Sequence, residues 1–178
     1  MNLEEMKYPI GQFKMPDLVT PEILGKYITD IKSFPKRLRA EVENLTDEQL
    51  DTPYRPDGWT IRQVVNHCAD SHMNGLARLK LALTEDKPTI KPYLENRWAE
   101  LADSKTMTIE PALLMLNGLH KRWTILLKTL TEDDLKRIYI HPEHGREFRL
   151  EESIGLYAWH CNHHLAHITE LKKRMKWR

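Results

Sequence analysis

From Leu150 to Met175 the chain offers one long amphipathic helix whose buried side has to accommodate histidine. Leu150, Ile154, Tyr157, Cys161, Leu165, Ile168 and Met175 recur at helical spacing, and at about 100° per residue they fall on one side of the cylinder. Inside this segment the tract Trp159-His160-Cys161-Asn162-His163-His164-Leu165-Ala166-His167 gathers four of the chain's nine histidines within eight residues. Residues four apart lie roughly 40° apart around a helix, so His160 and His164 share one face and His163 and His167 share another. The first pair sits roughly 70° from the centre of the apolar stripe and the second roughly 130° from it. His160 and His164 are therefore expected to face the interior, at the spacing of two ligands to one ion, while His163 and His167 are expected to point nearer solvent.

A metal site of this kind needs at least one further ligand from another element. The segment Asn66-His67-Cys68-Ala69-Asp70-Ser71-His72 offers two histidines. Upstream, Thr60-Ile61-Arg62-Gln63 has the pattern of a capping box, which starts a helix at Thr60. Ile61, Val64, Val65, Cys68, Leu76 and Leu79 form its apolar stripe, with His72 near the middle and His67 on the polar flank beside Ser71 and Asn74. Spacing leaves both open: His72 is either a ligand or a buried histidine bonded to a neighbour. His120, on a third helix, and His141, in a loop before Pro142, are weaker candidates. Cys68 and Cys161 fall inside the apolar stripes and read as small buried thiols. Two cysteines without CxxC spacing support neither a disulfide framework nor a zinc ribbon.

The length, 178 residues, suits one domain spanning 1–178. No apolar run approaches the roughly 20 residues of a membrane span. The start Met1-Asn2-Leu3-Glu4-Glu5-Met6 lacks the basic and apolar parts of a secretion signal, so a cytoplasmic protein is expected. With 27 basic and 26 acidic side chains the net charge is +1, too balanced for a nucleic-acid surface.

Four helical patterns dominate, and the fold class is all-α. The first runs from about Pro21 to Leu45 with a break or second start at Pro35. The second runs from Thr60 to about Thr84. The third runs from about Ile109 to Leu130, with Thr108 as cap and Pro111 in the first turn; the fourth starts near Leu150. Residues 86–107 have room for a short helix, and His141 to Phe148 for a turn or short hairpin. The order repeats internally. Lys36-Arg37 precedes Leu45-Thr46-Asp47-Glu48-Gln49-Leu50 by the interval at which Lys121-Arg122 precedes Leu130-Thr131-Glu132-Asp133-Asp134-Leu135. Two helix pairs, the first and second helices against the third and fourth, would place His67 and His160 correspondingly across the core of a four-helix bundle. This favours His67 over His72.

The strings Asp51-Thr52-Pro53-Tyr54-Arg55-Pro56-Asp57-Gly58-Trp59-Thr60, His67 to His72, and Leu156-Tyr157-Ala158-Trp159-His160 through His167-Ile168 resemble the YfiT-type branch of the DinB-like four-helix-bundle superfamily. Ile90-Lys91-Pro92-Tyr93 and His120-Lys121-Arg122-Trp123-Thr124 extend the resemblance over nearly the whole chain. It implies one divalent metal, commonly zinc or nickel, on three histidines: His67, His160 and His164. It also implies a cytoplasmic homodimer and a provisional label of metal-dependent hydrolase. Related members transfer low-molecular-weight thiols such as bacillithiol or mycothiol.

Three neutral imidazoles would leave an ion its charge and an open position, as in catalytic rather than closed structural sites. An ion of that kind can lower the pKa of water to about 7 or hold a thiolate. Cys161, Asn162 and His163 stand between His160 and His164, so the glutamate of HExxH is missing. Asp70 and His72 are the nearest alternatives in sequence and read as structural; no catalytic side chain is assigned. A small-molecule hydrolase, a thiol S-transferase and a non-catalytic metal-binding protein are the three function classes left.

Overall fold

Capping residues decide where most of the helices begin. The computed structural model describes residues 2–177, so Met1 and Arg178, the ends of the expected 1–178 domain, lie outside the described residues. Asn2 caps α1 (Leu3–Lys7), Thr20 caps α2 (Pro21–Val42), Thr46 caps α3 (Asp47–Leu50) and Thr60 caps α4 (Ile61–Thr84). Two short helices follow, α5 (Glu95–Trp98) and α6 (Ala102–Lys105), then α7 (Glu110–Leu127) and the Thr131-capped α8 (Glu132–Lys136). A hairpin of β1 (Ile138–His141) and β2 (Arg146–Arg149) leads directly into α9 (Leu150–Met175). Thr108 is not the cap of α7, because the helix starts at Glu110 with Ile109 in the cap position and no side-chain cap bond.

α2 passes through Pro35 without a break. A proline inside a helix removes the N–H that would bond the carbonyl four residues earlier, here Ile31. That carbonyl instead accepts the His120 Nδ1–H at 2.6 Å, so the expected interruption is compensated by a side chain from α7.

The four long helices form a bundle in which consecutive ones are not neighbours. α2 packs on α7 and α9, and α4 packs on the same two. α2 and α9 run in the same sense, since Asp30 meets Asn162 and Glu41 meets Lys172. α4 and α7 also run together, with His72 beside His120 and Gly75 beside Trp123. The remaining contacts are antiparallel: Ile31 with His120 and Arg39 with Glu110, His67 with His164 and Arg78 with Tyr157. α2 and α4 thus occupy opposite corners, and so do α7 and α9. The first two long helices thus pack against the last two, as the two helix pairs of the sequence imply, with the members of each pair on a diagonal: short loops force antiparallel neighbours, whereas residues 43–60 and 128–149 are long enough to cross the bundle. The internal echo does appear, as the short capped helices α3 and α8 after α2 and α7.

Phe34, Leu38, Val64, Val65, Cys68, Leu116, Trp123, Ile154, Cys161 and Ile168 are buried where the helices meet. The hairpin stacks Tyr139 on Phe148, and Ile90 N–H donates to the Ile140 carbonyl at 3.0 Å, which ties residues 88–94 across the bundle's open end. No helix among the described residues is long and apolar enough to cross a membrane.

Candidate metal centre

The antiparallel crossing of α4 and α9 brings His67, His160 and His164 together, with ligand-capable atoms within 4.8 Å of one another. His67 Nε2 and His160 Nε2 are 3.2 Å apart, and the rings of His160 and His164 lie 4.4 Å centre to centre. The segment between α3 and α4 closes over them. Tyr54 N–H donates to the Trp59 carbonyl at 3.0 Å, and Asp57 takes the left-handed conformation with φ of 54°. This turn lays Trp59 on His67, at 4.6 Å, and Tyr54 on His167, at 3.9 Å. His67 is buried despite its place on the polar flank of α4 because this loop, rather than a helix, covers it.

Two chains of hydrogen bonds fix which nitrogen of each α9 ligand carries its proton. Carbonyl oxygens only accept. The Ile31 carbonyl therefore requires a proton on His120 Nδ1, which leaves His120 Nε2 to accept from His72 Nδ1–H at 2.8 Å. His72 Nε2 then accepts from His160 Nδ1–H at 3.0 Å, and His160 Nε2 is left with a lone pair directed at His67. The same logic runs from the other side. His167 Nε2–H donates to the Lys7 carbonyl at 3.0 Å, so His167 Nδ1 accepts from His164 Nδ1–H at 3.4 Å. His164 Nε2 is thereby left free as well. Partners of this kind set the tautomer and orientation of metal-binding histidines.

The donor set fits a divalent ion. Burial lowers the pKa of His67 to about 4 and those of His160 and His164 well below the ordinary value, so all three are neutral bases at pH 7. Zinc–nitrogen bonds of about 2.0–2.1 Å in tetrahedral array put ligand nitrogens about 3.3 Å apart, close to the 3.2 Å between His67 and His160. Two other groups lie close enough together to be considered. In His72, His120 and Cys161, the ring nitrogens of His72 and His120 are all engaged in the chain above, and burial raises the Cys161 thiol well above its ordinary pKa. In His163, His164 and His167, an ion would displace the proton between His164 and His167.

Several expectations change. His163 and His167 do not point to solvent. Both are buried, His163 stacked on Trp159 at 4.3 Å and His167 under Tyr54 and Lys7. The helical wheel counts only helix partners, and the N-terminal segment and the 51–60 loop cover this face. Met175, placed in the apolar stripe, is exposed. Of the two readings that spacing left open for His72, the structure shows a buried histidine hydrogen-bonded to His120 and His160. His120 shares that role. Cys68 and Cys161 are fully buried free thiols.

Two cavities meet at the centre. One of about 360 Å³ is lined by all three histidines together with Trp59, Arg55 and Glu95. A second of about 510 Å³ borders His160 from the other side, between α4, α5 and the hairpin. Glu95 and Asn96 line both. Burial, and then Glu143, raise the pKa of Glu95. Asp70, whose pKa burial and Asp103 push up to about 6, lines neither cavity. Glu95 carried no signal in the sequence: it opens a four-residue helix without a local motif, and only the fold puts it on the cavities that His160 also lines.

Residues 31–168 match the DinB superfamily. Relatives from Bacillus mycoides (strain KBAB4) and Bacillus cereus (strain B4264) are each 51% identical over 98% of this chain and 100% of their own, and are provisionally named metal-dependent hydrolases. The solved structure of YfiT from Bacillus subtilis, described as "a probable metal-dependent hydrolase with an unusual four-helix bundle topology", superimposes with a TM-score of 0.95 at 50% identity, covering 98% of this chain and 99% of that one. The chain belongs to the DinB superfamily.

Proposed function

We propose that this protein hydrolyses small molecules with one divalent ion, zinc or nickel, held by His67, His160 and His164. The observation that carries the reading is the convergence of the free Nε2 lone pairs of His160 and His164 with His67 on the wall of a cavity that also contains Glu95. Bound there, an ion supplies Lewis acidity and brings the pKa of water toward neutrality. The protein's own contribution is to keep the three imidazoles neutral by burial, to aim two of them through the bonds to His72 and His167, and to line the same cavity with a carboxylate, that of Glu95. Glu95 is the acidic residue common to both cavities, and its role is to take the proton of the attacking water. The relatives' names support hydrolysis in the same way. A homodimer completes the proposal; light scattering of the metal-loaded protein should return about twice the 21.1 kDa chain mass.

The test is metal analysis and turnover on a panel of esters and amides. About one ion per chain is expected. His67→Ala, His160→Ala and His164→Ala should each lose metal and activity. Glu95→Gln should keep the metal and lose about 10²-fold or more in kcat. Full metal occupancy in His67→Ala would overturn the ligand set.

A second reading has its own support. Two cavities that meet at His160 suit two substrates, as in transfer of a low-molecular-weight thiol to an electrophile. Turnover that appears only when such a thiol is added would favour transfer; thiol-independent turnover favours hydrolysis.

A further inference from the structure

The turn that lays Trp59 on His67 also fixes an arginine. Gly58 N–H donates to the Arg55 carbonyl at 3.0 Å, with Pro56 in the second place and Asp57, at a φ of 54°, in the third, a combination that suits a type II turn. Arg55, in the first place, folds back over this turn. Its Nη1–H donates to the Pro56 carbonyl at 2.8 Å and its Nε–H to Tyr54 Oη at 3.1 Å, and the guanidinium carbon lies 5.3 Å from the centre of the Tyr54 ring. The fold-back needs a residue without a side chain at 58, because a Cβ on Gly58 would stand 2.6 Å from Arg55 Cγ. Tyr54 is itself stacked on His167, so the cation is tied to the helix that carries His164.

Holding an arginine in one conformation costs up to about 2 kcal/mol of side-chain entropy, and no carboxylate in the protein offsets it here. Arg39, Arg62, Arg146 and Arg149 each pair with an acidic side chain. Arg55 forms no ion pair among the described residues, and both of its bonds go to neutral oxygens. Its Nη2 makes no bond among the described residues, and it is open to water, unlike the sealed Nε atoms of Arg37 and Arg78. Arg55 lines the metal cavity, where the other charged side chains are Lys7, Asp57 and Glu95. Lys7 Nζ lies 3.7 Å from Glu4, Asp57 is exposed on the turn, and Glu95 comes from α5 and borders the second cavity as well. Arg55 is thus the cation of this cavity without a counter-charge. An anion bound to it completes a pair, whereas one placed at Glu95 is repelled.

We propose that Arg55 is a specificity-determining residue of the metal cavity: it binds the acid group, carboxylate or phosphate, of a small anionic substrate whose reacting bond lies toward His67 and His160. A guanidinium N–H bonds an anionic oxygen more strongly than a neutral one, and a planar group already anchored at two nitrogens loses little freedom when the third finds its partner. The direction of the reacting bond rests on the metal-site reading; the acid subsite itself needs no metal.

The experiment titrates benzoate, phenyl phosphate and neutral benzamide into the full chain, zinc-loaded and after chelator treatment. NMR follows the indole N–H signals of Trp59 and Trp159, which line the same cavity. At least one of the two acids should bind about tenfold or more tighter than benzamide, with and without zinc, as expected of a charge-assisted bond; the tighter one identifies the acid group. Arg55→Gln should erase this preference while leaving benzamide affinity and zinc content unchanged. Arg55→Lys keeps the charge without the two anchoring bonds, and Gly58→Ala keeps the arginine but pushes it from its seat. Each should reduce the preference, which keeps the test decisive if Arg55→Gln does not fold, and Lys7→Gln should retain it. Equal affinity for both acids and benzamide in the native protein would overturn the proposal. So would a preference that survives in folded Arg55→Gln or is lost in Lys7→Gln, and so would an equal loss of acid and benzamide binding in Arg55→Gln, which would make Arg55 a purely structural residue. An Arg55-dependent preference in stripped protein together with absence of metal-dependent turnover would leave this subsite standing and sink the hydrolase reading instead.

Discussion

Pro35 lies outside the metal centre, yet its missing N–H frees the Ile31 carbonyl that begins the chain His120, His72, His160. His167, anchored on the Lys7 carbonyl, does the same for His164. If these chains set the ligands' tautomers, replacing a distant member should weaken the metal without touching a ligand. His120→Phe keeps a ring beside Phe34 and Trp123 but leaves His72 Nδ1–H without its acceptor. Metal affinity should fall about 10–100-fold, and stability by about 1–3 kcal/mol. Pro35→Ala should act in the same direction on affinity and less strongly, because the restored N–H shares the carbonyl. His167→Phe should weaken the metal through His164, whereas His163→Ala should not. Competition with a chelator of known affinity measures each effect, and nitrogen NMR of the imidazoles reads the tautomers directly. Unchanged affinity in both His120→Phe and His167→Phe would show that the chains are only packing.

α4 approaches α7 and α9 closely at Gly75, and that closeness holds the centre's wall. A Cβ there would stand 2.5 Å from Tyr157 Cζ and 2.8 Å from Trp123 Cη2, and both rings are buried. Gly75→Ala should therefore cost about 1–3 kcal/mol, as overpacked cores do, and lower Tm by roughly 3–10 °C. A variant with native Tm would contradict the close packing. Much at this level was legible in the sequence. The capping box at Thr60 and the period of α9 set those helices correctly, since both signals are local. Pro35 was misread because the proline rule treats a helix alone, without a side chain from α7 to take the orphaned carbonyl. His163 and His167 were misread because a wheel cannot see Tyr8, Tyr54 and the loop that cover them. The diagonal placement of consecutive helices has no local signature at all, and neither does Glu95, which comes to line both cavities only through the fold. His67 was chosen over His72 by the internal echo and the resemblance, not by its place on the stripe.

The molecule as a whole stores a dependence on pH in its buried histidines. Burial lowers His120 and His167 to about 4 and His163 to about 3, against 6.5 for an accessible imidazole. A depressed pKa means that the unfolded chain binds the proton more readily. The stability is therefore whole above pH 6.5 and is lost progressively as pH falls toward 4. For a group at about 4 the loss at pH 5 is about 2 kcal/mol. Asp70, raised to about 6 by burial and Asp103, works in the opposite sense, since its protonation at lower pH favours the folded chain, as does that of Glu95. The histidines outnumber these carboxyls, so the net effect is loss. A bound ion adds stability at neutral pH, about 4 kcal/mol at a thousandfold excess over Kd, and protons compete for the same nitrogens. Thermal melts of metal-loaded and chelator-treated protein between pH 7.5 and 5, taken as roughly the window set by the imidazole titration, should show two curves. The loaded protein should melt higher at pH 7, the stripped protein should lose roughly 10 °C or more by pH 5, and the two should converge there. Coincident curves at pH 7 would detach the ion from folding, and a flat stripped curve would mean that the histidines are not buried in their neutral form.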